Sequence, residues 1–496
     1  MQPLYTDNGM TGQHTINYKK EGLWLLLFFA LYLLIYGYSA LRLGMHVDDL
    51  YDFGGEETGL YAANGRWGIA LWRSVFGLGA GIWAAGVMSG LLLSVLICLQ
   101  THLFGFTGTF NKLVYGCFYL GCIQFSHMLQ FSFQCDALVA GYLAATGAVW
   151  CLKKGGLKWL CLGIIMLAFA FGTYQANCFY FGVLFLLTEL RARQTGTDTN
   201  LREAIVPFIL MGLGAALLWW GIKQAALLLP IVTQEQILYV ADYQSGLSDW
   251  PQFFAAGAAD KAATIYNILT AGYAGQWVSY TVCIPFIYLC IRFYRTQSRA
   301  KATGSMFLLI LLYFTPYMLG LVLMRQQTPW TYISEPLMVA GFWGLLAAEH
   351  KRLAPLCCNI LIAFLPFMLL KGMYQVCANA RQEARDFNIC LAEIRELRSS
   401  ANAAAIHAGA VTQRIILLGE PMKRENVPDS AAESTLTWAN MLFYYLRYLK
   451  LNRMHIGSPA DHQRFAAPLS TMPTWPASGS VQAIGNEVII KIGPTK

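Results

Sequence analysis

The sequence predicts an all-α polytopic membrane protein of about eleven transmembrane helices, followed by a small C-terminal α/β domain outside the membrane. Three observations lead there. Of 496 residues, 56% are hydrophobic and only 12% charged, and the mean hydropathy is +0.45, too apolar for a soluble chain. The apolar residues gather in runs matched to roughly 30 Å of hydrocarbon, which takes about 20 residues at 1.5 Å each. These runs end near residue 372, and the chain beyond reads as short amphipathic and alternating segments.

The expected spans are residues 23–43, 80–101, 113–130, 137–152, 157–172, 177–190, 204–222, 277–295, 304–323, 330–348 and 354–371. Those between 137 and 190 are short, which leaves a merged or re-entrant pair as an alternative. The first run has a polar leader and no small-residue cleavage site after it, so it reads as a retained anchor. Orientation follows from Lys and Arg, which cytoplasmic loops retain. Beginning with Lys19 and Lys20, every second connection is basic: Lys112; Lys153, Lys154 and Lys158; Arg191, Arg193 and Arg202; Arg292, Arg295, Arg299 and Lys301; Lys351 and Arg352. This pattern puts the N-terminus in the cytoplasm and the chain after residue 372 outside. The net charge of +8 is then topogenic and requires no nucleic acid. Most of the thirteen cysteines lie in apolar runs and none follows Cys390, so neither a disulfide framework nor a structural metal is expected.

The domains follow: a transmembrane domain over 1–372 with external loops 44–79 and 223–276, and a small external α/β domain over 373–496. In the first loop, Trp67 to Phe76 suits a helix lying in the interface or the start of the second span. The loop 223–276, with breaks at Pro230 and Pro251, reads as a membrane-lying lid. In the tail, residues 380–398 are amphipathic, 414–418 and 487–492 read as strands, and 436–451 reads as a helix.

Polar residues near span ends sort to the external side: Asp48, Asp49, Arg66, Asp136, Tyr174, Gln175, Lys223 and Arg325. No span carries a carboxylate or lysine near its middle, where pumps and ion-coupled carriers hold theirs. Asp48 and Asp49 follow the first span directly, at a low-dielectric boundary where a base is tuned, and a close pair would titrate together. His46 beside them more commonly packs or caps than binds metal. Asp136 opens a span, where its ordinary role is a helix N-cap. Tyr174-Gln175 fills a tight turn; the tyrosine suits the interfacial belt and the glutamine a sugar hydroxyl. Arg325 is a cation on the side poor in them, either a snorkelling anchor or a two-pronged donor for a lipid phosphate. The chain carries neither a phosphate-binding loop of the Walker kind nor a strand-bound GxGxxG.

Taken together, the acidic pair, Gly65-Arg66, Asp136, Tyr174-Gln175, Arg325 and the tail segments Trp475-Pro476-Ala477 and Val488 to Lys491 resemble the glucosyltransferase II family, which modifies O-antigen, over nearly the whole chain. That family belongs to the GT-C class of integral membrane glycosyltransferases. The resemblance implies a bacterial inner-membrane enzyme that moves a sugar, typically glucose, from undecaprenyl phosphate to an O-antigen, lipopolysaccharide or related surface glycan at the periplasmic face. It implies Asp48 or Asp49 as the base, and Arg325, with Arg66 or Lys223, on the donor phosphate. Asp136, Tyr174, Gln175 and Tyr243 fall to sugar and acceptor. Some members of the broader class use a divalent cation, and the first-loop carboxylates offer oxygen ligands for magnesium or manganese, a point the sequence leaves open. The rival reading is a flippase or exporter of lipid-linked sugars, which would spread polar residues through both halves of the bilayer.

Overall fold

The computed structural model describes residues 18–41, 57–76, 81–122, 134–197, 201–234, 236–238, 240, 250–269, 276–324, 331–408, 414–419, 454–457 and 459–492. The chain divides into two compact units, one holding residues 18–41 and 58–377, the other residues 378–492 with Glu57. The division falls inside the helix Pro355–His407.

The first unit is built of helices. Among the described residues, six are long and apolar enough to cross a membrane, over Lys19–Tyr38, Ala84–Leu103, Cys135–Lys154, Glu203–Ala226, Arg299–Leu323 and Pro355–Ala378, and each falls on an expected span. The other expected spans are helical but differ in kind. Leu157–Thr173 and Glu335–Ala347 are apolar but short, at 17 and 13 residues. Asn177–Thr195 ends in Glu189, Arg191 and Arg193, and Gln276–Thr296 carries Pro285 and closes on Arg292 and Arg295. Thr109–Gly121 covers only the first part of 113–130, whose remainder from residue 123 lies outside the described residues. Between 137 and 190 the expected helices are not merged. Three separate helices occupy it, turned at Gly155-Gly156, where both φ angles are positive (66° and 84°), and at 174–176.

Close approach in the bundle relies on glycine. A Cβ on Gly90 would strike the ring of Tyr32, one on Gly116 the ring of Phe28, and one on Gly121 would lie 3.0 Å from the Met368 carbonyl. A buried polar network then sets the register of four helices. Gln100 donates to the Tyr180 hydroxyl (2.7 Å) and to Thr146 Oγ1 (3.2 Å), and its carbonyl oxygen accepts from Tyr115 (2.8 Å). Tyr180 and Tyr119 share a hydroxyl–hydroxyl bond of 2.7 Å, and Tyr142 stacks on Tyr180 at 4.6 Å. These side chains are all buried.

The basic helix ends that the sequence sorts to one side are linked in space at one end of this unit. Lys112 pairs with Glu21 (2.6 Å), Lys153 donates to the Leu103 carbonyl (2.7 Å) and Arg191 to that of Phe104 (3.2 Å). Buried Glu349 accepts from Gln194 (3.0 Å), Arg292 (3.3 Å) and Arg352 (3.0 Å).

In the second unit the sheet order is β2-β1-β4-β3, with β1 Arg414–Leu418, β2 Met454–Ile456, β3 Val481–Ile484 and β4 Glu487–Lys491. β1 lies parallel to β2 and β4, and β3 closes antiparallel on β4. The strands expected at 414–418 and 487–492 are thus direct neighbours, while the helix expected at 436–451 lies outside the described residues. Ile416, Leu418 and Ile489 pack with Phe465, Leu469 and Met472 from the two short helices Pro459–Arg464 and Ala466–Thr471 and their junctions. Trp475 N–H donates to the Lys491 carbonyl (2.7 Å), so the Trp-Pro-Ala turn is fastened to β4.

Gln100→Leu strips partners from the hydroxyls of Tyr115 and Tyr180 without opening a large cavity. The expected loss is about 3 kcal/mol, read as a lowered unfolding midpoint in detergent titration.

Candidate functional site

Of the nine residues assigned to a site from the sequence, the structure describes Arg66, Asp136, Tyr174, Gln175 and Lys223; Asp48, Asp49, Arg325 and Tyr243 lie outside the described residues. The five described residues meet around one helix-turn-helix. Helix Glu57–Ala63 ends at Asn64-Gly65, and helix Trp67–Phe76 begins at once. Gly65 sits at φ +75°, with its N–H bonded to the Ala62 carbonyl (3.0 Å) and the Arg66 N–H to that of Tyr61 (2.7 Å). These two bonds are a Schellman closure, which calls for glycine because a Cβ disfavours the left-handed conformation. Trp67–Phe76 is a helix in its own right, distinct from Gly81–Leu103, so it is not the start of the second span.

Four polar tethers hold this segment. The carbonyls of the turn point outward and are taken by two other elements: Asn64 accepts from Gln175 Nε2 (2.6 Å) and Gly65 from Trp219 Nε1 (2.8 Å). The helices on either side are gripped by the start of Cys135–Lys154, where Gln134 donates to the Tyr61 hydroxyl and Asp136 Oδ2 accepts from Trp72 Nε1 (2.9 Å). Glycines bring the backbones together as well: a Cβ on Gly68 would lie 2.7 Å from the Gly172 carbonyl carbon and the Thr173 nitrogen. Asp136 is not the N-cap of its helix. Gln134 holds that position, Asp136 lies in the first turn, and its other oxygen accepts the Ala137 N–H (2.9 Å).

Two cations converge on the turn. The Arg66 guanidinium lies over the Tyr174 ring at 5.0 Å, and Lys223, one helical turn beyond Trp219, brings its Cδ to 3.2 Å from where a Gly65 Cβ would be. Neither has a carboxylate partner among the described residues. Arg66 Nε and the adjacent Trp67 Nε1 are buried donors without an acceptor among the described residues. They stand at the N-terminus of a ten-residue helix with no acidic residue in its first turn, where the helix dipole adds positive potential. Unanswered donors, two cations and a helix N-terminus together suit an anion.

Sequence reasoning did not single out Trp72, Gln134, Trp219 or Glu335. Trp219 had a signal, standing four residues before Lys223 and thus on one helix face with it. Glu335 had one too, as a carboxylate inside the expected span 330–348. It is fully buried and accepts the Tyr317 hydroxyl (3.0 Å), and the ring of Tyr332 packs 5.7 Å from that of Tyr317. Glu335 is the first residue of the helix Glu335–Ala347, so it stands at the start of the expected span and not at its middle.

The fold and this site define a helical, multi-pass membrane type of protein with a tethered cationic turn at one end of a helix pair. No protein-family model matches the chain, and no curated protein or solved structure shows significant similarity to it. Among the described residues, no three His, Cys, Asp or Glu gather as metal ligands, and Asp48 and Asp49, the carboxylates that magnesium or manganese would use, are not among those residues.

Gly65→Ala adds a Cβ 2.8 Å from Trp219 at a positive φ, whereas Gly196→Ala meets the same backbone penalty (φ +74°) in open space. Gly65→Ala is expected to cost about 2–3 kcal/mol and Gly196→Ala about 1 kcal/mol, measured as thermal unfolding midpoints.

Proposed function

We propose that the chain is an integral membrane glycosyltransferase that moves a sugar, by resemblance glucose, from undecaprenyl phosphate to an O-antigen, lipopolysaccharide or related surface glycan. The observation that carries this reading is the pair Arg66 and Lys223 at the Gly65 turn, without carboxylate partners among the described residues and beside two buried donors that lack acceptors. A phosphate monoester or diester answers all of these groups at once. In a chain with membrane-length apolar helices, the phosphate most readily at hand is that of a lipid.

The chemistry follows from the charges. An acceptor hydroxyl attacks the anomeric carbon from the face opposite the phosphate, the bond from that carbon to the phosphate oxygen breaks, and the configuration inverts. Asp48 or Asp49, the base that the resemblance assigns, takes the hydroxyl proton. The lipid phosphate departs with the bonding pair, and Arg66, Lys223 and, by resemblance, Arg325 stabilise its charge. Tyr174 and Gln175, which border the turn, are by resemblance the groups that orient the sugar, with Gln175 Nε2 already committed to Asn64. The first-loop side is then the periplasmic face of a bacterial inner membrane, with the N-terminus in the cytoplasm.

A second reading, an exporter of lipid-linked sugars, is favoured by one observation. Glu335 is a fully buried carboxylate in an apolar helix, the kind of group that coupled carriers keep.

Purified protein in liposomes, given polyprenyl-phosphate glucose and lipopolysaccharide, tests both readings. Arg66→Ala and Lys223→Ala are each expected to lower turnover by about 100-fold, and one of Asp48→Asn and Asp49→Asn to abolish it while donor binding persists. Equal turnover in wild type and all variants would sink the site. Movement of the donor across the bilayer without transfer, lost in Glu335→Gln, would establish the exporter.

A further inference from the structure

The start of the Cys135–Lys154 helix faces the anion-binding turn but does not deliver a free group to it. Asp136 is 6% exposed, and both its oxygens are occupied, one by Trp72 Nε1 and the other by the neighbouring N–H of Ala137. Two residues earlier, Gln134 holds Tyr61. One helix start therefore grips the chain on both sides of Gly65. That grip adds to the packing of the Trp67–Phe76 helix, in which Gly68, Ile69 and Arg73 are buried while Leu71, Val75 and Phe76 are exposed. The Trp72 ring also lies 4.3 Å from that of Phe76, tilted by 37°, so its indole is held from two directions. A carboxylate in the first turn of a 20-residue helix is also favoured by the helix dipole, and its bond to an indole N–H is charge-assisted.

We propose that Asp136 is a positioning residue: through Trp72 it fixes the Trp67–Phe76 helix, and thereby holds Arg66 and the buried Trp67 donor at the turn, without itself touching the ligand. The assignment rests on the reading of that turn as a phosphate site. A tether and a ligand contact respond differently to substitution. A tether needs an acceptor for the indole, which asparagine supplies; a ligand contact or a base needs the charge.

The experiment measures farnesyl phosphate and, in a separate arm, inorganic phosphate binding to the full chain in nanodiscs, together with the indole N–H resonance of Trp72. Asp136→Leu and Trp72→Phe are each expected to weaken farnesyl phosphate about tenfold. The double variant should be no weaker than either single one, because both remove the same bond. Asp136→Asn should stay within about threefold of wild type and keep a hydrogen-bonded indole resonance. If Asp136→Leu fails to fold, Trp72→Phe and Asp136→Asn decide alone. Asp136→Asn as damaging as Asp136→Leu, with Trp72→Phe harmless, overturns the proposal and makes Asp136 a ligand contact. Binding by wild type that survives Trp72→Phe unchanged overturns it as well. Wild type that binds neither probe overturns the phosphate reading and this assignment together. Equal affinity for inorganic phosphate would mean that the anion is not selected by a lipid tail.

Discussion

An apolar bundle has no water to offer a polar side chain, so each buried hydroxyl and amide must find its answer inside the protein. Gln100 is where this constraint is met. Its amide reaches partners on three other helices, and the tyrosines it joins are themselves buried. Shifting any of these helices along its axis would strand at least one hydroxyl at a cost far above that of a lost methyl contact. The network thus fixes the heights of Gly81–Leu103, Thr109–Gly121, Cys135–Lys154 and Asn177–Thr195 relative to one another. Two of those heights matter for the turn at Gly65, because Gln134 and Asp136 begin one helix and Gln175 stands just before another.

The charged residues divide the first unit in a second way. At its basic end, Lys112 faces Glu21, and Arg292 and Arg352 share Glu349, so much of the charge is answered within the protein. Around Gly65 the buried carboxylate among the described residues, Asp136, accepts from an indole, and Arg66 and Lys223 have no carboxylate partner among those residues. Burial of Glu349 pays for cations that belong to the fold, whereas no such partner stands beside Arg66 among the described residues. The contrast between the two ends is a stronger guide to a site than the presence of arginine alone.

Much of the helical layout was legible because periodic apolar length is a one-dimensional property. The Cys135–Lys154 helix lies within two residues of its expected bounds. Span count was less legible: Glu335–Ala347 and Leu157–Thr173 are as apolar as spans but shorter, and hydropathy alone does not reveal where a helix stops. Arg66, Tyr174, Gln175 and Lys223 were readable as one set from their shared side. The roles of Asp136, Trp72 and Trp219 were not, because an indole donor announces its partner only once two distant helices are in contact. In the tail, the pairing of β1 with β4 joins residues about 70 positions apart, which strand propensity cannot specify.

The helix that contributes Trp219 and Lys223 is also the least covered of the membrane-length helices among the described residues. Leu213, Leu217 and Trp220 all face outward on it. A cation on such a helix stands at the rim of the protein rather than at the bottom of a well. A molecule confined to the bilayer would arrive there by sideways diffusion in two dimensions, head group already at the right depth, with no aqueous passage to traverse. Capture would then scale with the surface density of the carrier in the leaflet rather than with any bulk concentration.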